Sequence, residues 1–262
     1  MPMLSTELLT YYRKLSQSLF TVVDVETTGR FADSDRVIEI SVLQATLADG
    51  IALQRTDLIN PQVAIPSNIS RFTGIAQWMV DAAPTAADIL PAYLPLLNTG
   101  VLTAHNVEFD DSFLQSEYQR LGTAFQRPVE QQLCTVQLSR LMLPDLPSRR
   151  LPYLVKHFQF DVGSSHRAGA DTLACWLLTE RLLTELLKEP DPVLLATFAR
   201  QWMPLRVAAT LLGCSSTEGR SRLEAAGVQS RHVGRGNRET WMYRRGDVER
   251  VVHEQDQQLR WS

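Results

Sequence analysis

Apolar positions at the start of the chain change period near residue 19. Over 5–19 they recur at helical spacing, with Leu8, Tyr12, Leu15 and Leu19 on one stripe and Ser5 placed to cap the helix. From there β-branched apolar runs take over. Residues 19–25, 37–48 and 51–58 read as three strands joined by short polar turns such as Ala48-Asp49-Gly50. Helical spacing returns over 67–72 and 85–98. A short fourth strand is expected at 101–104, a helix over 107–121 and a fifth short strand near 132–135. Helices follow at 135–142, 150–158 and 167–187. A strand meander followed by alternating helices and strands predicts an α/β domain with a mixed sheet.

Two prolines in Lys188-Glu189-Pro190-Asp191-Pro192 break the last long helix. A short helical stretch over 193–201 completes the first domain, and Pro204 opens a different pattern. Residues 205–212 form a short apolar helix stopped by Gly213. Ser215-Ser216-Thr217-Glu218 is a capping box for a second helix, which Gly227 ends. Residues 228–233 and 240–244 flank a polar, Gly-containing turn and read as a hairpin, and Asp247 starts a final helix. Helix, turn, helix, hairpin, helix is the order of a winged helix-turn-helix. The expected domains are therefore 1–200 and 201–262.

Charge sharpens that division. The chain carries −3 overall, but residues 201–262 hold ten arginines against seven acids, so the tail is +3 and the front −6. An acidic front and a basic tail point to a metal site and a polyanion contact. No apolar run approaches the roughly 18–20 residues that span a bilayer, and the N-terminus does not read as a secretory signal. Cys134, Cys175 and Cys214 are isolated and form no CxxC pair, so neither a zinc site nor a disulfide framework is expected, and a reducing, cytoplasmic setting is.

The chemistry begins in the first strand. Asp24 and Glu26 interrupt the apolar run Phe20-Thr21-Val22-Val23, and residues i and i+2 of a strand share a face. Two adjacent like charges on a core strand repel and lose hydration, a cost that a divalent cation would offset. Asp110, in His105-Asn106-Val107-Glu108-Phe109-Asp110, falls in the first turn of the helix after the fourth strand. His166 and Asp171, in His166-Arg167-Ala168-Gly169-Ala170-Asp171, are about 140° apart on a continuous helix and converge only if His166 lies on the preceding loop. Asp111 competes with Asp110 but is rotated by about 100°. His105 is expected to be a hydrogen-bonded structural residue, and Glu108 and Asp161 to be solvated.

Asp24-Val25-Glu26-Thr27-Thr28-Gly29, His105-Asn106-x-x-Phe109-Asp110 and His166-Arg167-Ala168-x-x-Asp171, in that order and with Cys134-Thr135 between the last two, resemble the motifs of the DnaQ-like 3′–5′ exonucleases, in the branch that uses a histidine (DEDDh). The resemblance covers about 19–185. It implies an RNase H-like five-stranded mixed sheet with helices on both sides. It also implies hydrolysis from the 3′ end to nucleoside 5′-monophosphates with two Mg²⁺ or Mn²⁺ ions. Asp24, Glu26, Asp110 and Asp171 would be the metal ligands and His166 the general base, with Thr27 and Thr28 near the terminal 3′-hydroxyl. Single-stranded or 3′-ended DNA is the expected substrate, with a DNA polymerase or another replication or repair protein as the expected partner. The alternatives are an RNA-trimming exonuclease and a nucleic-acid-binding regulator on a nuclease scaffold.

The tail segments 207–215, 233–235 and 243–250 resemble excisionase-type winged helix-turn-helix modules, with Gly219 on the presumed recognition helix as a departure. Arg220, Arg222, Arg231, Arg235, Arg238, Arg244 and Arg245, interleaved with Trp241 and Tyr243, are the candidate nucleic-acid contacts.

Overall fold

The computed structural model describes residues 3–163, 166–234 and 239–260, with side chains described up to residue 255. Its elements are α1 (Ser5–Leu15), β1 (Phe20–Thr27), β2 (Val37–Thr46), β3 (Gly50–Leu58), α2 (Ser67–Thr73), α3 (Gln77–Asp81), α4 (Ala86–Leu97), β4 (Val101–Ala104), α5 (Val107–Arg120), β5 (Gln132–Cys134), α6 (Thr135–Met142), α7 (Leu151–Phe158), α8 (Ala168–Lys188), α9 (Asp191–Ala199), β6 (Trp202–Pro204), α10 (Leu205–Leu211), α11 (Ser216–Ala225), β7 (Ser230–Val233), β8 (Thr240–Arg244) and α12 (Arg245–Arg260). They fall into two compact units. The larger holds Lys14–Leu138 and Ser148–Thr184, and the smaller gathers Met1–Arg13, Ser139–Pro147 and Glu185–Ser262.

The larger unit is built on a five-stranded sheet of order β3-β2-β1-β4-β5. The β1–β2 and β2–β3 pairs are antiparallel, whereas β1–β4 and β4–β5 are parallel. This is the expected α/β fold with a mixed five-stranded sheet flanked by helices. Central β1 is covered on both faces, which is why its sequence is almost continuously apolar. Val23 and Val25, with Ile40 and Val42 of β2, pack into a core with α4 and α5 through Leu90, Tyr93, Phe113 and Tyr118. On the opposite face Phe20 meets Trp176 of α8, ring centres 5.8 Å apart. Asp24 and Glu26 share that second face with Phe20 by strand alternation.

Helix α1 ends at Leu15 rather than at Leu19. The Ser18 N–H turns back to the Leu15 carbonyl (2.9 Å), and the Leu19 carbonyl is taken by the Val101 N–H (2.8 Å), which registers β4 beside β1.

In the smaller unit β6, β8 and β7 form an antiparallel sheet in that order. Met203 and Tyr243 on one face of it pack with Leu212, Leu223, Val248 and Val251 of the helices. Strand β6 was not expected: three residues between two helices carry no strand pattern, and the pairing with β8 that creates it is non-local. Gly219 is explained by packing. A Cβ there would lie 3.0 Å from the Ala209 Cβ, so glycine lets α11 cross α10 at close range. Ser215 caps α11 by accepting the Glu218 N–H (3.3 Å), but the Glu218 carboxylate pairs with Arg222 and not with the cap backbone. The N-terminal segment belongs to this unit because Ser5 donates its N–H and hydroxyl to Glu249 of α12 (2.7 and 2.8 Å).

Candidate active site

Strand β4 pairs with β1 only as far as Val22, so the next stretch of β1 has a free edge toward β5. After β4 the chain turns through His105 and Asn106, the latter at φ +88°, into α5. That turn carries Asp110 back to the free edge, where its carboxylate accepts the Val25 N–H (3.1 Å). Asp110 is 3% exposed.

Asp24 and Glu26 are held by β1, in register with Ser41 and Glu39 of β2. The third side of the site is α8. Glu39 is buried and accepts Arg167 Nη2 (2.6 Å) and the Ala168 N–H (2.7 Å), so one carboxylate pairs with the arginine of the third motif and caps the helix it opens. Gly169 brings α8 down on β3, with its added Cβ position 3.1 Å from Thr56 Oγ1. Asp171 lies in the first turn of the helix thus anchored. Oxygens of Asp24, Glu26 and Asp171 all come within 4.8 Å of one another, a spacing that one cation could bridge. Asp110 stands outside this trio, on the α5 side.

Burial and mutual repulsion bias every one of these carboxyls toward its protonated form. Asp24 is pushed well above the usual carboxylate range by burial first and then by the charges of Asp110, Glu26, Asp171 and Glu39. Glu26 rises to about 8 through burial and the charges of Asp171 and Glu39, with Arg167 pulling the other way. Burial raises Asp110 against the opposing N–H of Val25, and it raises Asp171 against the opposing N–H and charge of His166. Four hard oxygen donors in this condition fit a divalent cation, which favours their charged forms.

His166 lies on the loop before α8 at φ +63°, and its N–H donates to Asp171 Oδ2 (2.9 Å). The loop placement is what the 140° separation required. Its ring packs against Phe72 of α2, centres 3.9 Å apart, and among the described residues its ring nitrogens make no hydrogen bond. Phe72 is 59% exposed. A recess of about 450 Å³ beside the carboxylates is lined by Glu26, Thr27, Thr28, Phe31, Phe72 and Phe109, among others. The Thr27 hydroxyl donates to the Gly29 carbonyl, and the Thr28 hydroxyl accepts the Arg36 N–H (2.9 Å). A Cβ on Gly29 would meet the Asp35 carboxylate, which accepts the Phe31 N–H (2.8 Å) and would have to shift.

The competing residues point elsewhere. Asp111 accepts the side-chain amides of Gln115 and Gln132 (2.8 and 3.2 Å). His105 spans Thr135 Oγ1 and the Arg149 carbonyl (2.8 Å each), a structural link between strand ends. Glu108 and Asp161 are exposed. Sequence reasoning missed Glu39 and Phe72. Glu39 was detectable, because Val37-Ile38-Glu39-Ile40 is another acid in an apolar run. Phe72 had no such signal.

The exonuclease (RNase T) family matches this chain over residues 21–179, a span that contains all five candidate catalytic residues. The chain belongs to the exonuclease family. Among relatives of this exonuclease domain, a PolC-type DNA polymerase III of Clostridium perfringens is 35% identical over 156 residues, covering 59% of this chain and 10% of that protein. The 3′–5′ exonuclease DinG of Bacillus subtilis is 31% identical over 182 residues, 69% of this chain and 19% of that protein. The DNA polymerase III epsilon subunit of Aquifex aeolicus is 29% identical over 67% of this chain and 83% of its own length. The chain thus spans about a tenth of the PolC-type relatives it matches. E. coli exonuclease I, solved with a dT13 oligonucleotide, shares the fold at a TM-score of 0.56 and 19% identity, over 69% of this chain and 46% of that one.

In the smaller unit the arginines divide. Arg235 and Arg238 lie outside the described residues. Arg220 pairs with Glu224 (2.7 Å) and Arg222 with Glu218, each four residues apart on α11. Arg245 is buried and holds Gln201, Glu249 and the Met3 carbonyl. Arg231 and Arg244 make no ion pair among the described residues. Within those residues, no helix is long and apolar enough to cross a membrane.

Proposed function

We propose that the chain is a 3′–5′ exonuclease that hydrolyses DNA from the 3′ end to nucleoside 5′-monophosphates. The observation that carries this is the Asp24–Glu26–Asp171 cluster beside His166, inside an exonuclease-family domain. Asp24, Glu26 and Asp171, with Asp110 from the α5 side, would hold two divalent ions, Mg²⁺ or Mn²⁺. When bound, such ions neutralise and polarise the phosphodiester. The protein's own work is positional. Glu39 and Arg167 set the height of α8 over β1, and Val25 fixes Asp110. An imidazole nitrogen of His166 takes the proton of the attacking water, braced by Phe72 on one side and by the Asp171 bond to its backbone on the other. The recess receives the terminal nucleotide. The Thr27 and Thr28 hydroxyl oxygens keep acceptor capacity for a 3′-hydroxyl there.

We assign residues 201–262 to a winged helix-turn-helix-like domain that binds nucleic acid or a partner. The α10–α11 pair, the sheet and α12 follow that order. The names of the relatives make a replication or repair polymerase the natural companion. Incubating 5′-labelled single-stranded DNA, duplex DNA and RNA with the protein and Mg²⁺ or Mn²⁺, with and without chelator, tests the activity. Stepwise shortening from the 3′ end of DNA is the expected result. Preference for RNA would move the substrate class, and no cleavage with either metal would refute the activity.

A further inference from the structure

The outward face of the β6-β8-β7 sheet presents two arginines that pair with no acid among the described residues. Strand alternation puts Met203 and Tyr243 on the core face, so their neighbours Trp202, Met242 and Arg244 point the other way. Arg231 is opposite Met242 and joins them. Two guanidinium groups stack on one indole: Arg231 lies 4.1 Å and Arg244 4.4 Å from the centre of the Trp202 ring. Arg244 is fixed further by donating to the Arg200 carbonyl. Neither is ion-paired among the described residues, whereas the arginines of α11 are neutralised by Glu218 and Glu224.

We propose that this sheet face, and not helix α11, is the nucleic-acid surface of the smaller unit, and that it binds single-stranded DNA. A guanidinium stacked on indole keeps its N–H edge available for phosphate and its outer plane available to a base, while Met242 adds apolar area beside it. Two uncompensated positive charges on an apolar patch complement a strand that presents bases and phosphates alternately. Helix α11 has paired arginines and a glycine committed to α10, so it offers no comparable charge. The identity of the strand as DNA rests on the exonuclease reading; the face itself does not.

The test uses the full chain in chelator, with fluorescence anisotropy of a labelled oligo(dT) over a salt series. Hydrolysis of a small chromogenic thymidine monophosphate ester in Mg²⁺ is followed in parallel. Trp202→Ala is expected to weaken oligonucleotide binding by about 5-fold or more, since it releases both guanidinium groups that the indole holds in place. Trp202→Phe should restore most of the affinity. Arg231→Glu and Arg244→Ala should flatten the salt dependence, by about 0.7 in log–log slope for each phosphate no longer neutralised. The small ester should be hydrolysed at the wild-type rate throughout. Arg231 is exposed, so its substitution keeps the test decisive if Trp202→Ala does not fold. Unchanged oligonucleotide affinity in the Arg231 and Arg244 variants would overturn the proposal and leave the face to a protein partner. Reduced affinity only in Arg220 and Arg222 variants would also overturn it, in favour of α11. Failure of wild type to cleave the ester while oligo(dT) binding still depends on Arg231 would refute the nuclease reading and leave this one standing.

Discussion

Glu26→Gln in metal-free protein isolates the electrostatic cost of the site. Glu26 is 9% exposed, and its carboxyl is raised from 4.5 to about 8. Between those values the folded protein holds a proton that the unfolded chain has released, so the group's contribution to stability falls as pH rises through the window. The penalty relative to a neutral isostere is under about 1 kcal/mol at pH 5, about 3 kcal/mol at pH 7 and about 4 kcal/mol at pH 8, at ~1.36 kcal/mol per pKa unit. Gln keeps the shape and removes the titration. Urea denaturation in chelator from pH 5 to 8.5, followed by tryptophan fluorescence, should therefore show the variant gaining on wild type steadily with pH. Saturating Mg²⁺ should reverse the order, because a cation favours the charged carboxylate that Gln lacks. A stability difference that stays flat across the pH range, or that favours wild type in chelator at pH 8, would refute the account of Asp24, Glu26 and Asp171 as a repelling cluster.

Four further outcomes can be checked directly. Asp24→Ala should abolish turnover while leaving the metal-free fold intact or stabilised; wild-type turnover in a gel assay of DNA shortening would sink the assignment. His166→Ala should cut kcat by at least about 10²-fold while Mg²⁺-induced stabilisation persists, since the base is not a ligand; a near-normal rate would require another base. Asp110→Asn should remove activity and Asp111→Asn should not, because Asp111 faces Gln115 and Gln132; equal effects in the same assay would contradict the rotation of α5. Arg167→Ala strands the buried Glu39 carboxylate and should cost about 2 kcal/mol in urea denaturation at pH 7, discounted for the exposure of Arg167. Adding Glu39→Gln should recover much of that stability, and strict additivity of the two changes would rule the pairing out.

What was legible in the sequence was whatever violated a local rule. Asp24 and Glu26 stood out because a carboxylate is costly in an apolar strand, and ordered motifs supplied Asp110, His166 and Asp171. The sheet followed from runs that only a two-sided strand tolerates. The features that escaped are products of non-local pairing. Strand β6 exists because β8 lies beside it, and Phe72 matters because α2 meets a loop almost a hundred residues further along the chain. The arginines of α11 are a different case. Their partners Glu218 and Glu224 sit four residues away, a spacing readable without a structure, and counting charge by segment concealed it.

The clasp between Glu39 and Arg167 joins residues 128 positions apart. It has a consequence for biogenesis. The β1–β2–β3 meander can form early, yet Asp24 and Glu26 gain His166 and Asp171 only when α8 docks and Arg167 reaches Glu39. A nascent or truncated chain ending before that point would own three of its four carboxylates and no base, so hydrolytic competence would be the last property the larger unit acquires as it is synthesised.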